Sequence, residues 1–457
     1  MSRIFISAAH KSSGKTTITI GLCAALSRQG KAVQPYKKGP DYIDPMWLGQ
    51  AAGRSCHNLD FFTMGHNEII NVFQRYQLDS DISLIEGNKG LYDGLDLDGS
   101  NSNAALAKLL KAPVILVIDA RGMTRGIAPL ILGYQSFDSE INIAGVILNQ
   151  LGGSRHEQKL RDVIEHYTDV PVIGAVHHDD KMEIIERHLG LIPSNESSEA
   201  RNKIDLLGDR VASQVDMHRL LDIAESANPL PASTVDTIRA EPQAPVRIGI
   251  ARDAAFGFYY PDDLDTFKQE NAELIPIDLI NDQTLPEIDG LFIGGGFPET
   301  HMKKLEQNRT MRNAIKSAID AGLPCYAECG GLMYLSEQIE WNDAACQMAG
   351  VIPGKIVMHK KPQGRGYIRI KQTELAPWKI TDSDHIICAH EFHYSSIEAL
   401  PDDLDYAFRV ERGRGIDGQH DGIVYKNLLA NYAHLRHTEQ SPWVSRFVNF
   451  VRNKRKR

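Results

Sequence analysis

No stretch of this chain is apolar over the length needed to cross a bilayer. No two of its 6 cysteines stand as a C-x-x-C pair, which removes a disulfide framework and a structural zinc site. A basic excess is missing too. With 50 Lys and Arg against 59 Asp and Glu, the net charge of −9 has the wrong sign for a nucleic-acid footprint. The one basic run, "RNKRKR" at the C-terminal end, is short and reads as a solvated end. The opening "MSRIFISAAHKSSGKTT" lacks the apolar core and cleavage site of a signal peptide. These absences lead us to expect a cytoplasmic chain in a reducing compartment, with no membrane and no nucleic-acid partner.

At 457 residues the chain is too long for a single core, and its 42% hydrophobic and 24% charged residues are ordinary globular composition. Apolar runs "RIFISAA", "DISLIEG", "APVILVID", "NIAGVILNQ" and "VPVIGAV" alternate with helical patterns, which predicts a parallel, doubly wound α/β sheet over residues 1–195. A polar helical stretch and the proline-rich "NPLPASTVDTIRAEPQAP" follow, giving a helical extension and linker over 196–245. A second α/β series begins at "VRIGIARD" and occupies 246–457. No internal repeat or low-complexity tract is visible.

"AHKSSGKTT", residues 9–17, follows a strand and opens a helix, the context in which backbone amides and a helix N-terminus cradle phosphate. Lys15 suits the β- and γ-phosphates and the Thr16 hydroxyl a magnesium ion, although Ala9 replaces the first glycine of the strict pattern. Magnesium also needs carboxylate oxygens. Asp41 and Asp44 in "KKGPDYIDP" and Glu86, with Asp93 beyond it, in "LIEGNKGLYDG" lie where ligands of open α/β sheets bind. Asn149, ending a later strand, is a candidate for adenine contact. The "HHDD" run at 177–180 lacks zinc-site spacing and reads as a polar loop.

The second half centres on "LPCYAECGGLMYL". Cys329 falls at a sharp strand-to-helix turn, where nearby N–H groups lower a thiol pKa and stabilise an oxyanion. Cys325, within the strand, reads as a small buried hydrophobe. "GGGFPE" at 294–299 offers further amides, and His390, His393 and His434 are the candidate bases.

"YAECGGLMYL", "GGGFPE" and "NLLANYAHL" resemble the class I glutamine amidotransferase domain of the cobyrinic acid a,c-diamide synthase family. "KKGPDYIDP", "EGNKGLYDG" and "ERHLGLI" resemble its dethiobiotin-synthetase-like, P-loop N-terminal domain. The resemblance spans residues 4 to 435. It implies that Cys329 is the nucleophile and His434 its base. Gly14, Lys15, Thr16 and Thr17, with Asn149, would hold ATP. Thr16, Asp41 and Glu86 would hold Mg2+, and Asp41, Asp44 and Asp93 would face the substrate and its acyl phosphate. Many class I amidotransferases carry a glutamate two residues after the histidine, where this chain has Arg436, so the third member stays open. Cobyric acid synthases are similar in layout but lack "GPDYIDP". Partitioning-type ATPase switches carry a lysine where this chain has His10.

The resemblance implies a ligase that takes ATP, glutamine and a tetrapyrrole polycarboxylate and amidates the a and c acetate side chains. Asn88 and Lys89 follow "EG" where cobyrinate enzymes more usually have small or apolar residues, so sirohaem or a sirohydrochlorin is the alternative substrate. Oligomeric state is not readable.

Overall fold

The computed structural model describes residues 1–184, 186–187, 190–196, 199–231, 243–381 and 385–455. Most of the predicted linker, His188 and Leu189 of "ERHLGLI" and the last two residues of the basic tail lie outside them. The chain divides into two compact units, Met1–Phe61 with Gly65–Asp236 and Phe62–Met64 with Thr237–Arg457.

In the first unit the strands are β1 (Ser2–Ala8), β2 (Val33–Lys38), β3 (His57–Leu59), β4 (Ile82–Glu86), β5 (Val114–Asp119), β6 (Ile143–Leu151) and β7 (Val172–His177). The helices are α1 (Lys15–Arg28), α2 (Ile43–Ala52), α3 (His66–Gln77), α4 (Asn103–Leu109), α5 (Ile127–Phe137), α6 (Ser154–Tyr167), α7 (Ala200–Gln214) and α8 (Met217–Glu225). All seven strands are parallel in the order β3-β2-β4-β1-β5-β6-β7. Helices cover both faces of such a sheet, so its strands read as near-continuous apolar runs. The strand order turns around β1, and the carboxyl ends beside that switch point carry the phosphate loop. The predicted helical stretch after residue 195 is α7 and α8, and α7 packs directly on α1. A two-strand hairpin, β8 (Glu186–Arg187) with β9 (Gly190–Leu191), precedes them.

The second unit opens with β10 (Val246–Ala251), β11 (Phe256–Phe258), α9 (Pro261–Gln269), β12 (Ala272–Ile277), β13 (Gly290–Ile293) and β14 (Gly295–Gly296). Helices α10 (Pro298–Gln307) and α11 (Arg309–Asp320) lead to β15 (Cys325–Glu328) and α12 (Gly330–Leu335). A strand-rich stretch follows: β16 (Gln338–Trp341), β17 (Ala344–Gln347), β18 (Lys355–Met358), β19 (Gly364–Gln372), β20 (Ile386–His393), β21 (Ser395–Glu398), β22 (Asp405–Arg412), β23 (His420–Tyr425) and β24 (Leu428–Asn431). Helix α13 (Trp443–Arg455) comes last.

The main sheet has nine strands in the order β12-β10-β13-β15-β24-β23-β22-β19-β20. It is parallel from β12 to β24 and antiparallel beyond. Strand periodicity sorts its side chains. Leu291, Ile293, Cys325 and Ala327 enter the core under α10, α11 and α12, while Phe292 and Tyr326 enter the one under α9 and α13. Cys325 is thus a buried core side chain. The antiparallel extension and the separate sheet β17-β16-β18-β21 depart from the expected α/β series. Most of their strands alternate buried and more exposed residues, so they present no long apolar run.

Candidate functional site

The phosphate loop of the first unit runs from Ala9 to Gly14, with Ser12 and Gly14 at positive φ (67° and 80°), and delivers the chain into α1. Thr16 and Thr17 lie in the first turn. The register of β2 against β4 sets Lys37 beside Glu86, so both side chains emerge at the same sheet edge. Lys37 Nζ donates to Glu86 Oε1 at 2.7 Å and to Asp44 Oδ2, and lies 3.7 Å from Asp41 Oδ2. The Thr16 hydroxyl donates to Glu86 Oε1 at 2.8 Å and reaches Asp44 Oδ2 at 3.3 Å. Lys15 Nζ is 3.7 Å from Glu86 Oε1. Asp41 also accepts from the amides of Ile43 and Asp44, which caps the start of α2.

Burial pulls the Lys37 ammonium down, but Asp44, Glu86 and Asp41 outweigh it and hold it well above the usual lysine value. Burial likewise lowers Lys15, only partly offset by Glu86. Of the two aspartates, Asp41 is pushed up to about 7 by burial and by Asp44. Asp44 stays below its ordinary value because Lys37 overcomes its burial. A proton held on Asp41 leaves Asp44 as the ionised partner of the lysine.

Among the described residues, no group of three or more His, Cys, Asp or Glu forms a metal cage. Magnesium does not require one, since it keeps waters and nucleotide phosphates and takes one or two carboxylates. Glu86 Oε2 is buried with no hydrogen-bond partner among the described residues. An all-oxygen set of Thr16, Asp41, Asp44 and Glu86 with one carboxylate oxygen to spare fits a hard cation beside a phosphate.

Two further expected members of this site make local contacts of their own. Asn149 is buried and its amide nitrogen donates to the Ser13 carbonyl at 2.9 Å, bracing the phosphate loop rather than standing open to a base. A Cβ on Gly14 would collide with that same amide, so the loop fits Asn149 only with glycine there. Asp93 is exposed and accepts from the Gly90 amide at 3.0 Å, closing its own turn apart from the carboxylate cluster. The "HHDD" loop does behave as a polar surface: His177 pairs with Glu157 at 2.9 Å and Asp179 with Arg210 at 3.0 Å.

In the second unit Cys329 sits between β15 and α12 at φ 46° and ψ −99°, a strained hinge for a residue with a Cβ. Its amide donates to Asn431 O at 2.7 Å, which ties the hinge to β24. A Cβ on Gly330 would lie 2.9 Å from the Gly296 amide nitrogen, so the start of α12 rests on the 294–296 turn. The His434 ring lies on the same turn, since a Cβ on Gly295 would fall 2.5 Å from His434 Cε1. The helix start that follows Cys329 and the His434 imidazole therefore rest on the same glycine segment.

His434 is backbone-paired with His390, its amide donating to His390 O at 2.7 Å, and its Nδ1 faces Glu328 Oε2 at 3.5 Å. Burial drives the imidazole down to about 3, with His393 adding to the effect, so the ring is neutral at physiological pH and able to take a proton. His390 is lowered to about 3 in the same way, and His393 stacks on Tyr432 at 3.8 Å. Only His434 is placed over the 294–296 turn. The expected lowering of the Cys329 thiol is overturned. The Gly330 amide does pull it down, but burial and Glu299 push it up by more. Arg436 turns away from the pair to Asp262, 2.8 Å from its carboxylate.

Lys37 and Glu328 are the site residues that sequence reasoning did not single out. Both lie inside the motifs already quoted. The available signal was that Lys37 lies one residue from the end of a strand followed by two aspartates, and that Glu328 immediately precedes the nucleophile.

Residues 4–192 match the CobQ/CobB/MinD/ParA nucleotide binding domain family, and residues 247–442 the CobB/CobQ-like glutamine amidotransferase domain family. A Magnetococcus marinus protein named cobyrinate a,c-diamide synthase is 46% identical over 458 residues, covering 99% of this chain and 97% of its own. Proteins of the same name from Methanosarcina acetivorans and Archaeoglobus fulgidus are 42% and 40% identical, over 95% and 99% of this chain and 92% and 98% of theirs. With a phosphate loop in one unit, Cys329 and His434 on elements that meet the same glycine segment in the other, and relatives that match from end to end, the chain belongs to the cobyrinate a,c-diamide synthase family of glutamine-dependent amide ligases.

Proposed function

We propose that this protein amidates the a and c acetate carboxylates of a cobyrinate-type tetrapyrrole, with ATP activating each carboxylate and glutamine supplying the ammonia. The observation that carries this reading is the presence of both chemistries in one chain whose full-length relatives bear that name. Ammonia and a carboxylate alone form only an ion pair at neutral pH, so the carboxylate must first gain a leaving group. Transfer of the γ-phosphoryl to a carboxylate oxygen gives an acyl phosphate and ADP. Attack of ammonia on its carbonyl carbon gives the amide and expels phosphate.

Gly14, Lys15, Thr16 and Thr17 would bind the phosphates, with Asn149 holding the loop in shape. Thr16, Glu86 and the Asp41–Asp44 pair would hold magnesium, which when bound supplies charge neutralisation at the phosphate oxygens. Lys37 brings a second standing cation to the incoming carboxylate. In the second unit His434 Nε2 accepts the Cys329 proton and the thiolate attacks the glutamine side-chain carbonyl. The amides of Gly296 and Gly330 receive the developing oxyanion. Collapse releases ammonia, and water returns the thioester to glutamate and free thiol. The reaction needs no nucleic acid and no membrane.

The test supplies the purified protein with magnesium, ATP, and either glutamine or ammonium, across cobyrinate, hydrogenobyrinate and sirohydrochlorin. The expected result is ADP release that requires a tetrapyrrole, with two amides formed per cobyrinate by mass spectrometry. Amidation of sirohydrochlorin in preference to cobyrinate reassigns the substrate. Steady ATP turnover with no carboxylate present, or ATP-driven dimerisation indifferent to glutamine, overturns the reading.

A further inference from the structure

The side chain that faces His434 Nδ1 comes from the residue just before the nucleophile. Glu328 is 3% exposed and ends β15 in register with Asn431, three residues short of His434. Its Oε1 accepts two hydrogen bonds, from the Tyr326 hydroxyl at 2.7 Å and from the Leu435 amide at 2.8 Å. Those two donors fix the carboxyl and leave Oε2 directed at His434 Nδ1, 3.5 Å away. The Leu435 contact also locks the backbone next to the imidazole. The position two residues after the histidine is already engaged elsewhere: Arg436 pairs with Asp262 and lies over the Tyr260 ring at 5.0 Å.

We infer that Glu328 is the positioning residue of the Cys329–His434 pair, holding the imidazole in the tautomer whose Nε2 lone pair takes the thiol proton. This rests on the reading of His434 as the base. When Oε2 is ionised and takes the Nδ1–H, the ring nitrogen left to accept a proton is Nε2. When Cys329 gives up its proton, the imidazolium forms against a carboxylate instead of in a neutral, buried cavity. The other titratable groups around the pair include Tyr326 beside Glu328, Glu299 and Asp421 near the thiol, His390 and His393 on β20, and Asp263 on α9. Burial pushes the Glu328 carboxyl up to about 8 against the pull of its two donors. The tautomer that accepts at Nε2 therefore becomes more populated as pH rises.

Glu328→Gln tests this with little change of shape. Its carbonyl oxygen can still accept from Tyr326 and Leu435, but its NH2 group donates to Nδ1 and fixes the proton on Nε2, the wrong tautomer. Glutaminase kcat is expected to fall by about 10²–10⁴-fold, as for the analogous exchange in a catalytic triad, with KM changed far less. The acid limb of the wild-type kcat/KM profile, set by the coupled Glu328–His434 titration, should disappear. Amidation driven by ammonium, which uses neither Cys329 nor His434, reports that the protein is folded. Glu328→Asp is the second variant. It packs worse but keeps a carboxylate, so it should retain more glutaminase than Glu328→Gln. Wild-type glutamine use, an unchanged pH profile, equal loss with both donors, or Gln outperforming Asp overturns the inference. His434→Gln is run in parallel: its loss of glutamine use beside an intact Glu328→Gln sinks only the role of Glu328, whereas its survival sinks the base on which that role rests.

Discussion

Gly295→Ala is the sharpest probe of whether the glycine turn and the imidazole form one site. The added methyl would stand 2.5 Å from His434 Cε1 and 3.3 Å from Phe258 Cβ. Carbon atoms pack favourably at about 3.5–4.0 Å, so the ring would have to retreat by roughly 1 Å. It has nowhere easy to go. His434 is buried, its backbone is bridged to His390, and its Nδ1 side meets Glu328. If the ring moves, a misplacement of about 1 Å costs on the order of a hundredfold in rate. If the ring holds and the turn moves, overpacking costs about 1–3 kcal/mol, a fall in Tm of roughly 2–10 °C for a domain of this size. The expected outcome is a glutaminase kcat down by about a hundredfold with a modest fall in Tm. Amidation driven by ammonium should be little changed. Glutamine hydrolysis at the wild-type rate would show that His434 does not work from its position over this turn.

Cys329→Ser should abolish glutamine-driven amidation, by several powers of ten as is usual for a deleted nucleophile, while ammonium-driven amidation survives; equal loss with both donors would place the thiol in the fold or in the other chemistry. Lys37→Met leaves Asp44 without its cation and Glu86 with Lys15 alone, 3.7 Å away, and breaking such a pair costs about 3–5 kcal/mol, measurable by urea unfolding; an unchanged midpoint would show that the carboxylates protonate at no cost. The buried Glu328 carboxyl, with a folded value of about 8, lies above its unfolded value. Its contribution to stability is therefore complete below the unfolded pKa and is lost as pH rises through about 8. The Tm of Glu328→Gln relative to the unsubstituted protein should climb between pH 5 and pH 8, and a flat difference would refute the burial argument.

What could be read from the sequence was whatever is encoded in consecutive residues. Strand, "AHKSSGKTT" and helix stand in order along the chain, and so do β15, Cys329 and α12, so both loops were legible. Lys37 was not, because its partnership with Glu86 comes from the register of β2 against β4 across 49 residues. Glu328 was hidden for the same reason, since its relation to His434 runs through the pairing of β15 with β24. Asn149 was found by position, but its bond to the Ser13 carbonyl was not legible in "VILNQ". The thiol pKa was misjudged because a helix N-terminus is visible in sequence and burial is not. The strand-rich stretch from 338 to 431 escaped because its longer strands alternate buried and more exposed residues and so show no continuous apolar run.

The two sites treat charge in opposite ways. Around the phosphate loop, Lys37 and Lys15 stand among Asp44 and Glu86, and each ion is tolerated because another lies within 4 Å. Around the elbow, burial pushes the thiol and the Glu328 carboxyl up and the imidazole down, so the resting groups tend to neutrality. The difference follows from what each site meets on our proposal. A nucleotide and a carboxylate arrive as anions, and positive charge must already be in place, because a cation assembled on demand would be solvated first. Glutamine arrives with a neutral side-chain amide, and charge is needed only while the thiolate attacks and the oxyanion persists. A standing thiolate–imidazolium pair in that cavity would carry a desolvation penalty of several kcal/mol per ion. It forms at lower cost once the substrate carbonyl, the turn amides and Glu328 share it. On this account the elbow is slow toward small electrophiles such as iodoacetamide in the absence of glutamine, because its thiol is protonated, buried and waiting for the amide.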